Sequence, residues 1–460
     1  MFTLDPEAFS KGDENAKFTH KTGVCFKLFP FVSHNSTEII SSFAPVVGEW
    51  LRLVCGQKIE LKSMDETLRK LADSIDGLAE AEKKQLTQIA RNVYWKEDEK
   101  RSLKAESLLA MRYLPRENLT AEKTALYLYS ALRDGDKNKD AVNKALEKAA
   151  NDVNVFEKAV FEAMEDKIET STPNPDYYVV HRAPRKVFMK DLEFILQNAA
   201  RTKEHFVDLL DFYYFFYTSQ TSLTLAKLEN GDRNEIVPLY FCLDWERTNK
   251  ERKCYQEGWN RLLSAIDQQF SHAATLELLN QHPGDEKYDY IALKEEMEKT
   301  CRYEEVAAKI GTLCEWYRGV VQDCAEMQNL KKDEGLDPVS CEVRFLFKNV
   351  LTQFKNSKRA RANEAYKNHF STFCRERFLK FRGRCGLMLN ITEEFLIFLT
   401  KLAVGDQEKT SLKEVFRQFE LRGVFLDRSS KDEVVQFYTK LNLLEKKSDS
   451  GDAQYVRRVL

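Results

Sequence analysis

Glycine and proline are scarce, 17 and 10 among 460 residues. So few turn formers disfavour the many short strands of a sandwich or barrel and favour long helices. CxxC and HExxH are both missing, so the spacings by which one turn of chain aims two ligands at zinc do not occur. The ten cysteines, at 25, 55, 242, 254, 301, 314, 324, 341, 374 and 385, are irregularly spaced and read as reduced core residues rather than bridges. No GxxxxGK[ST], GxGxxG or GxSxG is found, which argues against an intrinsic P-loop ATPase or a common serine hydrolase. There is no apolar run of about 18 residues. The strongest stretch, LLDFYYFFYT around Tyr213, contains Asp211. The opening, MFTLDPEAFSKGDENAKF, lacks an apolar stretch followed by a small-residue cleavage site, so a cytoplasmic chain without a membrane partner is expected.

What is present is enough for several cores: 43% hydrophobic and 31% charged residues. The balance of 71 basic and 73 acidic side chains, formally −2, excludes a uniformly basic nucleic-acid coat but not a local patch. The expected class is mostly α, an irregular multi-helix body with a few short strands. Residues 1–60 form a mixed N-terminal segment, with one or two strands over 16–33 and an edge at Pro30. Residues 61–170 read as a helical subdomain: Leu68, Leu71 and Ile75 fall at helical spacing and two helices meet near Gly77. A second pair starts at Thr120 and turns at Asp134-Gly135-Asp136. Pro173, Pro175 and Pro184 then forbid a continuous helix and mark a boundary.

A central helical domain follows over 171–387. Phe206, Leu209, Leu210, Tyr213, Tyr214 and Tyr217 line one helix face, while Phe212, Phe215 and Phe216 fill the other flank. A helix apolar all round belongs in a core. Stacking on unpaired bases is the other use of such rings, but Asp208 and Asp211 beside them disfavour it. NEIVPLYFCLDWERTNKERK reads as a β-like run ending at Trp245, and helices then continue to Leu330, broken at His282-Pro283-Gly284.

Within 355–384, expected as one basic helix, ten Lys or Arg face only Glu364 and Glu376. Such concentration suits phosphate neutralisation. The candidate contacts are Lys355, Lys358, Arg359, Arg361, Lys367, Arg375, Lys380, Arg382 and Arg384. Tyr366, Phe370, Phe373, Cys374, Phe378 and Phe381 would dock the helix. A solvated face, or pairing with acids of this chain or a partner, is the alternative.

The tail, 388–460, reads as a winged helix-turn-helix domain. A helix from Asn390 with Glu393 carries Ile391, Phe395, Phe398, Leu399 and Leu402 inward. A second starts at the capping box Ser411–Glu414 and stops at Gly423. A third, opened by Ser430 and Glu433, places Val434, Tyr438 and Leu441 inward. LLEKKS and AQYVRRV, joined by Asp449-Ser450-Gly451-Asp452, make a terminal hairpin. Double-stranded DNA contacts would come from Lys431, Gln436 and Lys440 on the helix and Lys446, Lys447, Arg457 and Arg458 on the wing. Protein docking is the other use of this module, and Asp432 and Glu433 count against phosphate nearby.

No catalytic site and no bound cofactor or metal is expected. The alternative is a divalent-metal nuclease using Asp244, Glu251 and Lys253, although 248–261 reads as helix rather than the strand such a site uses. Gly383-Arg-Cys-Gly386 has the spacing of a phosphate-clamping GxxG loop but reads more simply as a helix terminator.

Residues 421–460, LRGVFLDRSSKDEVVQFYTKLNLLEKKSDSGDAQYVRRVL, resemble the end of DptG proteins, most sharply in SDSGDAQYV from Ser448 to Val456. These are components of bacterial DNA-phosphorothioation-dependent restriction systems. The resemblance implies a non-catalytic, cytoplasmic subunit that works with a DptF-like ATPase and a DptH-like helicase against DNA lacking the sulfur modification. It supplies no catalytic motif to place on particular residues.

Overall fold

The computed structural model describes residues 22–32, 43–59, 77–94, 108–113, 119–151, 168–281, 286–321, 323–357, 360–446 and 454–459, together with the single positions 69, 72, 73, 75, 158 and 161. The described chain is mostly helical with short strands, and it divides into two compact units.

One unit holds residues 40–176 and 184–214. Its elements are α1 (Ala44–Cys55), β1 (Gln57–Ile59), α2 (Glu80–Tyr94), α3 (Leu108–Arg112), α4 (Leu119–Leu132), α5 (Lys137–Asn151), β2 (Ile168–Thr170), α6 (Ala183–Leu196) and the first part of α7 (Ala199–Leu225). Helix α1 carries Pro45 in its first turn and is capped by Gly56, whose φ of 68° lets its N–H return to the carbonyls of Arg52 and Leu53. Arg52 is fully buried, donating to Glu49 Oε2 at 2.6 Å and to the Arg112 carbonyl at 2.8 Å. The expected turn at 134–136 separates α4 from α5, and Asn138 Oδ1 accepts the Asp134 N–H at 2.7 Å. From Leu209 onward helix α7 is buried on nearly every flank, as its apolar pattern predicts, whereas Lys203, Glu204 and Asp208 nearer its start are exposed; Tyr213 donates its hydroxyl to Asp191 at 2.7 Å. Of the two helices expected to meet near Gly77, the second is α2, while the first falls mostly outside the described residues, as does the break at 282–284.

The other unit holds residues 1–39, 177–183 and 215–460. After α7 come β3 (Leu239–Leu243), a π-helical turn (Tyr255–Trp259), α8 (Asn260–Ile266), α9 (Gln269–Leu279), α10 (Tyr290–Thr300), α11 (Tyr303–Val320), α12 (Pro338–Asn356) and α13 (Ala360–Arg377). Then follow β4 (Leu379–Phe381), β5 (Leu387–Ile391), α14 (Glu393–Val404), β6 (Lys409–Ser411), α15 (Leu412–Glu420), β7 (Val424–Leu426), α16 (Arg428–Lys440), β8 (Leu444–Lys446) and β9 (Gln454–Arg457). A four-stranded sheet has the order β4-β5-β3-β7. Strand β3 pairs parallel with β5 (Cys242↔Asn390) and with β7 (Tyr240↔Phe425), while β4 runs antiparallel to β5.

Several local expectations are corrected here. No strand occurs in 22–32; the N–H groups of Val24, Cys25 and Phe26 are instead taken by the Glu277 carboxylate at 3.2, 2.6 and 3.0 Å. The basic segment is not one helix. It breaks after Asn356, resumes at Ala360, and ends at Arg377 as Phe378 turns into the core and β4 begins. Phe381 is therefore off the docking stripe and 70% exposed. Gly383–Gly386 is the turn of the β4–β5 hairpin, with both glycines at positive φ, rather than a helix terminator. Asn390 lies in β5 and Thr392 caps α14, its Oγ1 accepting the Phe395 N–H at 3.2 Å. Helix α16 opens at Asp427, which accepts the Ser430 N–H at 3.1 Å, and Leu441 is exposed. Of the helix expected over 248–261, residues 248–252 form loop and turn, and helical structure starts at Lys253 and passes through the π-helical turn into α8.

Gly423 joins α15 to β7 at φ 75°, and a Cβ there would stand 2.8 Å from the buried Phe216 ring. Left-handed strain of about 1–2 kcal/mol adds to overpacking of about 1–3 kcal/mol. Gly423→Ala is therefore expected to destabilise the chain by about 2–5 kcal/mol, read as a lower urea midpoint with an unchanged slope.

Candidate nucleic-acid interface

The C-terminal elements α14, β6, α15, α16, β8 and β9 assemble around a three-stranded antiparallel sheet of order β6-β9-β8. Thr410 faces Val456 and Leu444 faces Val456 across these ladders, so β9 lies between the other two strands. Ser411 caps α15 as expected, accepting the Glu414 N–H at 3.3 Å. Val415 and Phe419 of α15, and Val434, Phe437 and Tyr438 of α16, are buried. That leaves Gln436 and Lys440 exposed on the outer side of α16.

The loop after β3 grips the start of α16. Arg252 donates from Nε and Nη2 to the two Asp427 carboxylate oxygens at 2.8 and 2.6 Å. The same Nη2 reaches Glu246 Oε1 at 3.2 Å and Ser430 Oγ at 3.0 Å. Trp245 stacks on Phe437 with ring centroids 5.0 Å apart and donates its indole N–H to Glu433 at 3.1 Å. Burial raises Asp427 while Arg252 and the Ser430 N–H lower it, and the net shift is downward. Burial holds the Glu246 carboxyl above its ordinary range, with Arg252 opposing.

From the β4–β5 side, Lys380 pairs with the Asp244 carboxylate and donates to its carbonyl at 3.1 Å. Lys380 thereby holds the Asp244 carboxyl below the usual range. Arg382 donates to the carbonyls of Leu243 at 2.5 Å and Glu246 at 3.0 Å, and to Asn390 Oδ1 at 2.7 Å. These two candidate DNA contacts are thus engaged inside the protein. Lys367 is similarly paired with Asp267 at 2.8 Å.

On the tail, Lys431 pairs with Glu420 at 3.1 Å and lies over Phe416; Arg457 is 3.4 Å from Glu445, and Arg458 is 3.2 Å from Asp406. Lys355, Arg361, Arg375 and Arg384 stand exposed. Arg361 and Arg375 share one face of α13, about 21 Å apart along it, with Glu364 and Asn368 exposed between them. Lys358, Arg359 and Lys447, and the Lys446 side chain, lie outside the described residues.

Asp244, Glu251 and Lys253 are not drawn together by any contact. Asp244 belongs to Lys380, Lys253 lies over the Tyr240 ring, and Glu251 is exposed. Among the described residues no three His, Cys, Asp or Glu stand close enough to hold a metal ion, and no helix is long and apolar enough to cross a membrane. Sequence reasoning missed Arg252 and Asp427. The signal available was Asp427-Arg-Ser-Ser430 directly after the apolar run VFL, an Asx cap at a strand-to-helix turn. Compared with known proteins, the chain matches no family model and no curated protein.

Removing Arg252 would strand two carboxylates. Arg252→Met should cost about 2–3 kcal/mol, below the roughly 3–5 of a fully buried pair, because its side chain keeps 15% exposure. The Asp427 carboxyl is depressed in the folded chain, so its contribution is complete above the unfolded carboxylate range, about 3.9, and is lost as pH falls through the folded value. The gap in melting temperature between the native chain and Asp427→Asn should therefore be full at neutral pH and close progressively below about pH 4.

Proposed function

We propose that this chain is a non-catalytic, cytoplasmic subunit of a phosphorothioation-dependent DNA restriction complex that contacts double-stranded DNA and assembles a DptF-like ATPase with a DptH-like helicase. The fold part of this reading is supported by the order α14-β6-α15-β7-α16-β8-β9, in which β6 joins the terminal hairpin as the first strand of a winged helix would, while β7 pairs with β3 instead. The observation that carries the DNA part is the outer side of α16. Gln436 and Lys440 are exposed there, while the opposite side is fixed by Trp245, Val434 and Tyr438. A Gln can read adenine bidentately in the major groove, and a Lys can neutralise a phosphate.

Binding of a labelled duplex to the full chain tests the reading. Affinity should fall steeply with salt, and Lys440→Ala should lower the slope of log affinity against log salt by about one. No binding at low salt would refute DNA contact.

A second reading, a purely protein-binding adaptor, is favoured by the ion pairs of Lys431, Arg457 and Arg458, which neutralise charge that DNA would otherwise meet. Co-purification from cells carrying the neighbouring genes separates the partners. Recovery of an ATPase and a helicase with the tagged chain is the outcome expected, and recovery of neither would count against the complex.

A further inference from the structure

We propose that Arg247 and Arg428 together form a phosphate-binding pair that extends the α16 surface onto the loop after β3 and takes a phosphodiester group of duplex DNA. This deepens the DNA-contacting reading above and rests on it. Arg247 lies just beyond the carboxyl end of β3, and Arg428 is the first residue of α16, just beyond the carboxyl end of the neighbouring parallel strand β7. Crevices at the carboxyl ends of adjacent parallel strands are where open α/β sheets place ligands. Both arginines are exposed, and among the described residues neither is ion-paired.

A third arginine fixes their spacing. Arg252 donates from Nη1 to the carbonyl of Arg247 at 3.1 Å, and from Nε and Nη2 to Asp427, the residue before Arg428. One guanidinium thus links the Arg247 carbonyl to the Asp427 carboxylate, which fixes the spacing of the two chain segments from which the exposed forks extend. A planar guanidinium matches phosphate bidentately, which an ammonium cannot do.

The surrounding carboxylates are engaged within the protein: Asp244 with Lys380, Glu246 and Asp427 with the one Arg252, and Glu433 as acceptor of the Trp245 N–H. Glu251 and Asp432 remain exposed on these elements, against Lys250 and Lys253 on the same loop in addition to the two arginines. Over these groups six carboxylates meet six cations, so the balance is even, and Arg247 and Arg428 are cations at this edge with no ion-pair partner among the described residues. Arg428 also shares the exposed side of α16 with Gln436 and Lys440, so a single strand of phosphates could be met along the helix and onto the loop.

The test uses the full chain carrying Arg247→Gln and Arg428→Gln, singly and together, with Lys440→Ala as an independent probe of DNA contact. Each substitution is expected to lower the salt slope by about 0.9 and the affinity at 0.1 M salt by roughly tenfold. Melting temperature should stay unchanged, because both side chains are exposed. If the native chain binds duplex with a steep salt slope and the double variant binds identically, this inference is overturned and the DNA reading stands. If the native chain binds no duplex even at low salt, both fall. If the double variant keeps its duplex affinity but loses a co-purifying protein, the pair serves that protein and the inference is likewise overturned.

Discussion

The guanidinium of Arg252 is the constraint on which the C-terminal architecture turns. It joins two carboxylates, Glu246 and Asp427, which lie 181 residues apart in the chain and follow adjacent parallel strands. Neither carboxylate would sit comfortably alone. Glu246 is buried, and Asp427 must also accept the N–H of Ser430 to begin α16. A single cation answers three requirements: it offsets the desolvation of two anions, fixes the loop that carries Trp245, and sets the angle at which α16 leaves the sheet. Arg382 and Lys380 secure the same loop from its other side through carbonyls and Asp244.

This explains why charge counted along the chain differs from charge presented to solvent. The stretch 355–384 carries ten basic residues, yet Lys367, Lys380 and Arg382 are engaged with groups of the protein itself. Lys380 and Arg382 do so because the segment crosses from helix into a β-hairpin beside β3, which brings their side chains over backbone carbonyls. Density of one sign in a sequence is consistent with a binding surface and equally with an internal brace, and only the partners of each side chain distinguish them.

The elements legible in the sequence were those specified by their own residues. Helix α7 shows apolar side chains on every flank, the turn at 134–136 has Gly135 at positive φ, and Ser411 caps α15 from three residues away. What escaped depended on distant partners. Strand β5 precedes a helix and shares its apolar pattern, so Leu387–Ile391 is separable from α14 only by its pairing with β3. The amides of residues 24–26 look like strand amides until Glu277 appears as their acceptor. The candidate site was partly legible for the same reason. Exposure of Gln436 and Lys440 followed from helical period, whereas the roles of Arg252 and Asp427 required knowing that β3 and β7 are neighbours.

Strand β7 has a further implication. It sits between α15 and α16 of the C-terminal elements but makes its ladder with β3, which the chain laid down almost two hundred residues earlier. The tail is consequently stitched into a fabric it does not own. It is poorly suited to being cut out and grafted elsewhere as a cassette, and any drift in Val424–Leu426 must be tolerated by Leu239–Phe241 as well.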